Sequence, residues 1–599
     1  MQSSDGSRKR TSRACDSCYK RKTSRLSERI SRIEQLLAEN LMREPGSLPA
    51  DLPFVEGSPS ANASPTASSS SSTQPLIASS VGVHFAGREL GVISLLTGIP
   101  FLLPEGRDWI QARTGQTISR DKLSPSRTPW EKERAQSSKA LLMSLQNPDI
   151  FELPDWRCTR LYFEAYKRSL VMRRIFPILD IELFEDTINA AYQQTQARFE
   201  LGQASSRACI VAFLAFSSRL PPVKDQLKGT PFASVDHDAL ATKGEFMLAQ
   251  VLQEPASLEG AQAVTMLTLY ELSSGNMRAT NYFGAITARL LFMLGGNLAS
   301  SRTHLEAERA GKRQKLLRNL FWIGYTLDKD VCLRIGQPPT ISDDNCDLTL
   351  PPGYLDRMGY DPEDEGEPWD QPVFPFDLRL SIIKSRAHTA LYSMRARQKS
   401  DADLLKSIRE LDDELEEWRL SIPPQWRPTM SFSTETSDPN ISMYSVFLRL
   451  NYYLCMTLIH QASSRCKAWV EGSGMMDGVS SSLALSVEAS RSTLCYLEAA
   501  EHVLVEGVFW SLVFYPISAL LNIFCSILQN PLDPRSRDDL DRLRVAIHMM
   551  ERIFSRQLPE NEVVQIKLVA DFVLELKHLA ECAIDKAWRE QSAGSLLSK

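Results

Sequence analysis

An all-α fold is predicted for most of this 599-residue sequence, and two observations support it. From residue 141 onward, apolar residues recur at steps of three and four, the period of an α-helix, and no stretch alternates as a half-buried strand does. The chain is 43% hydrophobic and 24% charged, ordinary values for a globular protein, which excludes a wholly disordered chain and a mini-protein. We therefore expect a large multi-helix domain over residues 141–599.

Four segments of different composition precede this domain. They are a basic head, a short coiled-coil helix, a disordered linker and a partly ordered connecting segment, at residues 1–25, 26–44, 45–80 and 81–140. The linker is rich in Pro, Ser and Ala and has few apolar residues to bury, so we expect it to be a tether.

The periodicity of the main domain predicts a series of helices. Their predicted ranges are Asp155–Val171, Ile181–Arg198, Ser205–Ser217, Ser234–Gln253, Leu258–Ser274, Arg278–Leu294, Glu306–Ile335, Pro375–Gln398, Ala402–Ser421, Ser442–Val470, Ser481–Leu504, Val508–Leu528, Arg535–Phe554 and Asn561–Glu590.

Cysteine usage and hydropathy bear on the cellular compartment. The eleven cysteines are mostly scattered singly among apolar stretches, which favours free, buried thiols and a reducing compartment. The most apolar run, Val508 to Leu528, contains three Ser residues, Asn522 and Pro516. We expect it to form a pair of core helices broken at Pro516 and not a membrane span, and we expect no membrane partner.

The head is the one strongly basic segment of a chain whose net charge is -5. Such a segment is typical of a polyanion binder. Its basic residues form two clusters, one of Arg8, Lys9 and Arg10 and one of Lys20, Arg21 and Lys22. Two such clusters indicate a bipartite nuclear import signal and therefore a nuclear protein, and a solvated basic tail is the alternative.

The spacing Cys15-Asp16-Ser17-Cys18 lies inside this head. Two thiolates three positions apart can bind one zinc ion from the start of a helix. Redox C-x-x-C sites lie near a strand–helix unit, and no strand is predicted here. Arg13, Lys20, Arg21 and Lys22 flank the two cysteines, and such side chains neutralise phosphates and reach guanine in the major groove, so we expect DNA as a partner.

A heptad pattern follows the head. Leu26, Ile30, Ile33 and Leu37 recur at steps of four, three and four, and Pro45 ends the pattern. So short a helix is marginal alone, which favours a parallel dimerisation helix that pairs with a second chain, as a homodimer or a heterodimer. An ordinary amphipathic helix is the alternative.

The segment from Arg8 to Lys22 resembles the opening of the zinc binuclear cluster (Zn2Cys6) of fungal transcription factors, and Leu26 to Leu37 resembles the coiled coil that follows it in that family. The resemblance implies zinc as cofactor, DNA contacts from the basic residues after the second cysteine, and dimerisation. This chain departs from the pattern, because Arg25 stands where the family has its third cysteine and the next cysteine is Cys158. Two thiolates cannot close a tetrahedral site alone. Either a segment near Lys22 to Ser24 has been lost from this sequence, or specific DNA binding was lost in evolution.

The helical body, roughly Arg157 to Leu528, is similar to the fungal-specific transcription factor domain of xylanolytic-activator type. The resemblance lies in three groups of residues: Leu161-Tyr162-Phe163 with Phe176-Pro177-Ile178-Leu179; Ser257 to Ala263 with Gly275-Asn276; and Phe321-Trp322, Tyr325, Leu327 to Asp330, Arg334 to Ile341 and Asp343. It implies a regulatory domain that works with the transcription machinery and a small-molecule inducer.

Elementary chemistry gives most residues of the third group a structural role. We expect Phe321, Trp322, Tyr325 and Leu327 to lie in the core, and Gly336 with Pro338-Pro339 to end the helix. Asp328 and Arg334 are predicted to form a buried or half-buried polar tie. His388 and His460 lie in apolar helical contexts and are expected to be core histidines.

Enzyme motifs are missing from the sequence: it has no G-x-S-x-G, G-x-G-x-x-G, P-loop or H-E-x-x-H. We therefore expect a protein that is not an enzyme but a nuclear, sequence-specific DNA-binding regulator of RNA polymerase II transcription, zinc-dependent in its intact family. One alternative is a regulator defective in DNA binding that acts by dimerising with an intact partner. A remote alternative is a helical enzyme or small-molecule binding protein.

Overall fold

The computed structural model of this chain describes residues 82–85, 88–93, 100–117, 152–193, 202–299, 308–355, 372–432, 441–466, 476–504, 508–554 and 560–597. The predictions for the basic head, the coiled coil and the linker lie outside these residues.

A small antiparallel sheet opens the described chain, in the segment for which the sequence predicted only partial order. Its strands are β1 (Gly82–Phe85), β2 (Arg88–Ile93) and β3 (Pro100–Leu102), in the order β1-β2-β3. Val92 pairs with both Gly82 and Phe101, and the β1–β2 register shifts between Val83 and His84. The sheet is an exception to the predicted all-α class, which holds for the rest of the described chain.

Helix α1 (Pro104–Thr114) follows the sheet and was not predicted. Pro104 occupies its first turn, where a missing N–H costs nothing, and Gly115 ends it at φ 74°. The helix packs against β2 and against the last helix of the chain, and Trp109 and Ile110 are buried. The connecting segment is thus joined to the far end of the sequence.

The first half of the body is a bundle of helices around one apolar core. Its helices are α2 (Trp156–Arg168), α3 (Leu170–Ile175), α4 (Ile181–Tyr192), α5 (Gln203–Ser217), α6 (Pro221–Leu227), α7 (His237–Val251), α8 (Leu258–Ser273), α9 (Met277–Met293) and α10 (Glu308–Ile335). Helix α8 lies at the centre between α5 and α9, and nearly all of its residues are buried. The apolar residues of these helices, together with Leu378 at the start of the helix that follows, form the first core.

The second half builds a separate core. Its helices are α11 (Leu378–Ala387), α12 (Asp401–Ser421), α13 (Met443–Gln461), α14 (Met476–Ala499), α15 (Phe509–Leu512), α16 (Phe514–Gln529), α17 (Ser536–Phe554) and α18 (Glu560–Leu597). Helices α13, α14 and α16 pack side by side, and α17 and α18 cover them. Together with α1 they form the second core.

Most of the predicted helices are confirmed within a few residues, and three are shorter than predicted. The range Ile181–Arg198 ends at Tyr192. The range Pro375–Gln398 is not one helix, because α11 ends at Ala387 and a π-helical turn (His388–Tyr392) and a 3-10 turn (Ala396–Gln398) follow. Likewise α13 ends at Gln461 and a 3-10 turn continues to Arg465. Leu391 and Ala396 within these turns are buried, so the apolar pattern continues past the end of the α-helix.

The break predicted at Pro516 lies three residues earlier. Val513 separates α15 from α16, and Pro516 occupies the first turn of α16. A proline there loses no hydrogen bond, because the first N–H groups of a helix have no partner within it. The sequence predicted that Pro516 would break a helix. In the structure Pro516 instead lies at the beginning of α16.

Residues Trp510–Gln529 are long and apolar enough to cross a membrane by length and hydropathy, the one such segment among the described residues. In the structure 72% of that stretch is buried inside the protein. Asn522, 1% exposed, donates hydrogen bonds to Ser486 Oγ (3.2 Å) and Ser490 Oγ (2.9 Å) on α14. The segment therefore packs as a core helix here, as the sequence predicted.

The described cysteines agree with the predicted free thiols. All nine are unpaired, and seven of them are buried.

Candidate functional site

The two cores meet where the last turns of α10 pass beside α11. Leu378, at the start of α11, belongs to the first core, and Leu380 and Ile383 belong to the second. Phe447 on α13 packs against both cores. The polar groups buried in this meeting region are the candidate functional site, which we call the junction.

An ion-pair cluster lies at the centre of the junction. Asp330 on α10 accepts a hydrogen bond from Lys384 Nζ on α11 at 2.8 Å, and Arg334 Nε lies 2.6 Å from its other oxygen. The side chains of all three residues are 3% exposed or less. One carboxylate thus holds two cations away from water.

Hydrogen bonds extend the cluster to other helices of the second core. Lys384 Nζ also donates to Asn451 Oδ1 on α13, and Asn451 Nδ2 donates to the Phe447 carbonyl at 2.7 Å. Arg334 Nη1 donates to the Trp510 carbonyl at 3.4 Å. The junction therefore connects α10 to α11, α13 and α15.

Aromatic rings help to compensate the extra positive charge. The Arg334 guanidinium lies 5.5 Å from the ring centre of Phe514 and 5.4 Å from that of Tyr515. The negative face of an aromatic ring attracts a cation, and the attraction strengthens where water is excluded.

The surroundings of Asp330 and Arg334 shift the pKa values of both side chains toward their charged forms. Burial by itself raises the pKa of Asp330, but Arg334 and Lys384 outweigh it and hold this pKa below its ordinary value. Burial lowers the pKa of Arg334, and Asp330 outweighs that effect and raises it. Burial raises the pKa of Tyr515, which stays neutral. The interaction between Asp330 and Arg334 therefore favours the charged form of each.

A second polar cluster fixes the loop after α10. Asp328 accepts hydrogen bonds from the backbone N–H groups of Thr340 (2.8 Å) and Ile341 (3.1 Å). Lys329, with a fully buried side chain, lies 3.1 Å from Asp328 and donates to the Ile341 carbonyl. The loop is thus held against the helix that precedes it.

Asp343 extends this second cluster to α11. It accepts hydrogen bonds from Tyr325 Oη at 2.9 Å and from Ser385 Oγ at 2.8 Å. Gly336, at φ 72°, ends α10 and donates its N–H to the Cys332 carbonyl, so the predicted helix end is confirmed.

The predicted tie between Asp328 and Arg334 is wrong in its pairing. The partner of Arg334 is Asp330, four residues earlier and on the same face of α10. Asp328 instead accepts hydrogen bonds from the loop after α10. Both residues are half-buried or buried as expected, but sequence spacing could not show which carboxylate faces the second core.

The predicted core residues of this region are confirmed. Phe321, Trp322, Tyr325 and Leu327 are at most 4% exposed. His388 and His460 are 7% and 3% exposed. The ring of His460 bonds to Ser482 Oγ (2.9 Å) and to Asp412 Oδ1 (3.2 Å).

Sequence reasoning missed Lys384, Asn451 and Trp510, which complete the junction. The one available signal was a lysine and an asparagine on otherwise apolar helix faces, next to Ile383 and to Leu450. A buried polar residue needs a partner, but its position along the chain does not name that partner.

The junction supports a mechanical role. Its charges are paired and shielded from water, so they are poorly placed to exchange protons with a substrate. Removing one partner of a buried ion pair costs about 3–5 kcal/mol, because the other charge stays buried. Any shift of one core relative to the other would have to break or exchange these contacts together.

The residues predicted to bind zinc, DNA, the import machinery and a second chain lie outside the described residues. They are Cys15 and Cys18; Arg13, Lys20, Arg21 and Lys22; Arg8, Lys9 and Arg10; and Leu26, Ile30, Ile33 and Leu37. Within the described ranges no group of three or more His, Cys, Asp or Glu side chains is arranged to hold a metal ion.

Comparison with known proteins places the charged side chains of the junction inside a range that matches a known domain family. Residues 161–420 match the family model described as the fungal specific transcription factor domain. This range contains α10, its following loop and α11, and it ends well before the predicted limit near Leu528. No solved structure matches the chain significantly.

Relatives of known name are transcription factors. The chain is 26% identical over 525 residues to an ABC-transporter-regulating transcription factor of Aspergillus oryzae, an alignment that covers 84% of this chain and 55% of the relative. It is 29% identical over 359 residues to a protein of the same name from Aspergillus fumigatus, covering 57% and 38%. It is 21% identical over 338 residues to the fusaridione A cluster transcription factor of Fusarium heterosporum, covering 55% and 61%.

The chain thus spans about half or less of the length of the two Aspergillus relatives. The family match, by contrast, includes α10, the loop after it and all three charged side chains at the centre of the junction. Residues 161–420 of this chain are thus similar to the fungal specific transcription factor domain.

Proposed function

We propose that this protein is a nuclear, DNA-binding regulator of RNA polymerase II transcription. The observation that carries the proposal is the fungal specific transcription factor domain at residues 161–420. The names of the relatives agree with it, since all three describe transcription factors. Catalysis has no part in this proposal.

DNA contact is assigned to the basic head. Lys20, Arg21 and Lys22 would neutralise phosphates and donate to guanine O6 and N7, and Arg13 would add a further phosphate contact. The same residues, with Arg8, Lys9 and Arg10, would form the nuclear import signal. Leu26, Ile30, Ile33 and Leu37 would pair two chains, so that two heads bind neighbouring half-sites.

Cys15 and Cys18 are the only zinc ligands that we propose in this chain. Two thiolates fill half of one tetrahedral site, so the donor set of this chain does not complete a binuclear cluster. No step of the proposed DNA binding depends on the metal.

The body would regulate this activity through the junction. An inducer or a partner of the transcription machinery that binds one core can act on the other only through the elements that connect them. Helices α10 and α11, tied by Asp330 and Lys384, are such elements. The two Aspergillus relatives are named for regulating ABC transporters, so promoters of transporter genes are the first targets to test.

Two experiments test the proposal in parts. The first selects DNA sequences from a random pool with the full chain and repeats the binding at several salt concentrations. Replacing Lys20, Arg21 and Lys22 together by Ala should abolish the selected preference and reduce the salt dependence of binding by about three ions. The matched control replaces Lys224, Lys406 and Lys567, three exposed lysines of the body, by Ala. It should leave the sequence preference and the salt dependence of binding unchanged.

The second experiment fuses the full chain to an unrelated DNA-binding domain and measures transcription from a reporter gene. A change in reporter output in either direction supports a regulator. If the fusion changes transcription but the first experiment selects no sequence, the protein regulates through an intact dimer partner. If neither experiment gives a signal, the proposal is wrong.

A further inference from the structure

A cavity of about 320 Å³ lies between α14 and α17, outside the matched domain. Its lining is apolar at the base and charged toward the opening, and consists of Leu494, Cys495, Glu498, Asp538, Asp541, Arg542, Val545, Ala546 and Met549. A cavity of roughly 300–1,000 Å³ is the size that holds a small organic molecule.

A thiol lies at the base of this cavity. Cys495 is 9% exposed, and Arg542 Nη1 lies 2.8 Å from its Sγ as a hydrogen-bond donor. The guanidinium belongs to α17 and the thiol to α14, so the packing of two helices brings them together. A neighbouring cation stabilises a thiolate, which is the nucleophilic form of cysteine.

The other described cysteines have different surroundings. Burial raises the pKa of Cys158 and Cys466 to about 11 and that of Cys455 and Cys525 to about 12. Burial and nearby carboxylates also raise the pKa of Cys582. Thiols with raised pKa values stay protonated near neutral pH and react slowly.

Cys346 and Cys582 provide the sharpest contrast, because both are more exposed than Cys495. Burial raises the pKa of Cys346 to about 11. Cys582 has His578 at 3.8 Å and lies in a helix rich in carboxylates. If exposure alone decided reactivity, these two thiols would react before Cys495.

The charges at the opening limit the kind of molecule that can enter. Glu498, Asp538 and Asp541 are exposed carboxylates at the rim, and Arg542 is the one cation of the lining. An anionic molecule is repelled there, whereas a neutral or cationic one is not. Val545, Ala546 and Met549 offer apolar contact to its carbon skeleton.

We propose that Cys495 is a covalent modification site for small, uncharged or cationic α,β-unsaturated carbonyl compounds that enter this cavity. The sulfur of Cys495 forms a bond to the β-carbon of the compound, and the carbon–carbon π bond breaks. The electron pair moves to the α-carbon, which takes up the proton released by the thiol, so the step needs no oxidant or reductant. Arg542 acts as a positioning residue, because its guanidinium lies 2.8 Å from the sulfur as a hydrogen-bond donor.

The test uses the full chain, limiting N-ethylmaleimide as a neutral probe of this class, and peptide mass spectrometry to follow each cysteine. Cys495 should be alkylated faster than Cys346 and Cys582. Replacing Arg542 by Gln should slow alkylation of Cys495 by roughly tenfold, because the cation beside the reacting sulfur is lost. Arg544→Gln, an exposed change on the same helix, is the matched control and should leave the rate unchanged.

A second arm needs no variant that could disturb folding. It compares N-ethylmaleimide with 3-maleimidopropionic acid, which carries a negative charge and the same reactive ring. The ratio of the alkylation rate with the neutral probe to that with the anionic probe should be several-fold larger at Cys495 than at Cys346. The Asp538→Asn, Asp541→Asn double variant should remove much of this difference.

Faster alkylation of Cys346 or Cys582 than of Cys495 would overturn the proposal. So would equal rates in the Arg542→Gln variant and its control when both retain the circular dichroism spectrum of the original chain. None of these readouts involves DNA or transcription, so the outcome is independent of the proposed function.

Discussion

Asp330 and Lys384 are 54 residues apart in sequence and form an ion pair of 2.8 Å from which water is excluded. The pair joins the last helix of the first core to the first helix of the second. Arg334 shares the carboxylate, so a single Asp compensates two buried cations. The connection between the two cores therefore depends strongly on this one side chain.

Replacing Asp330 by Asn should destabilise the protein by about 3–5 kcal/mol, because Arg334 and Lys384 would stay buried without a counter-charge. Urea denaturation followed by far-ultraviolet circular dichroism measures the change. Asp413→Asn, an exposed change within α12, is the control and should stay within about 0.5 kcal/mol of the original chain. Equal urea midpoints for the two variants would show that the ion pair does not contribute to stability.

Replacing Gly275 by Ala should cost more than the same change at Gly229. Both glycines have positive φ angles, 77° and 83°, which cost a residue with a Cβ about 1–2 kcal/mol. At Gly275 the new Cβ would also overlap the ring of Trp510, whereas no atom lies within 4 Å at Gly229. The overlap should add about 1–3 kcal/mol.

Thermal unfolding of the two Gly→Ala variants compares these costs. The further change Trp510→Leu in the Gly275→Ala background should recover part of the overlap cost. If the two glycine variants melt at the same temperature, the contact between the α8–α9 turn and Trp510 is not made in solution.

Stability should fall as the pH is lowered through the range in which an exposed histidine titrates. Burial, aided by Lys329 and opposed by Asp328, lowers the pKa of His388 in the folded protein. The unfolded chain, with a histidine pKa of about 6.5, then binds more protons, so stability is full above that pH and decreases as the pH falls toward the folded pKa.

Replacing His388 by Gln should reduce the dependence of the free energy of unfolding on pH between about pH 7.5 and about pH 5.5. These limits lie about one unit on either side of the free histidine pKa. The measurement is a series of urea denaturations at different pH values. His502→Gln removes an exposed histidine and should leave the slope unchanged. A steeper slope in the His388 variant would contradict the burial argument.

Replacing Asn522 by Ala should destabilise the protein by about 1–3 kcal/mol, because the buried amide donates to Ser486 and Ser490. Gln226→Ala, which removes an exposed amide on α6, serves as control. A negligible loss at Asn522 would indicate that α16 does not pack against α14 as a core helix.

Local pattern determined much of this fold. The helices around Phe321, Leu411 and Leu520 could be predicted because an α-helix repeats every 3.6 residues, and a run of fifteen residues contains its own evidence. The basic head, the Cys15–Cys18 spacing and the heptad residues also come from the sequence alone, and they still carry the proposed DNA-binding function.

Tertiary structure decided the pairings. Lys384 contacts both Asp330 and Asn451, the ring of Trp510 packs against Gly275, and Cys495 contacts Arg542, each across tens or hundreds of residues. The same reason explains the missed sheet, whose strands are three to six residues long and stable only when paired. Sequence periodicity identifies the face that a helix buries, but the partner of a buried charge depends on which other helix lies against that face, and only the packed structure determines it.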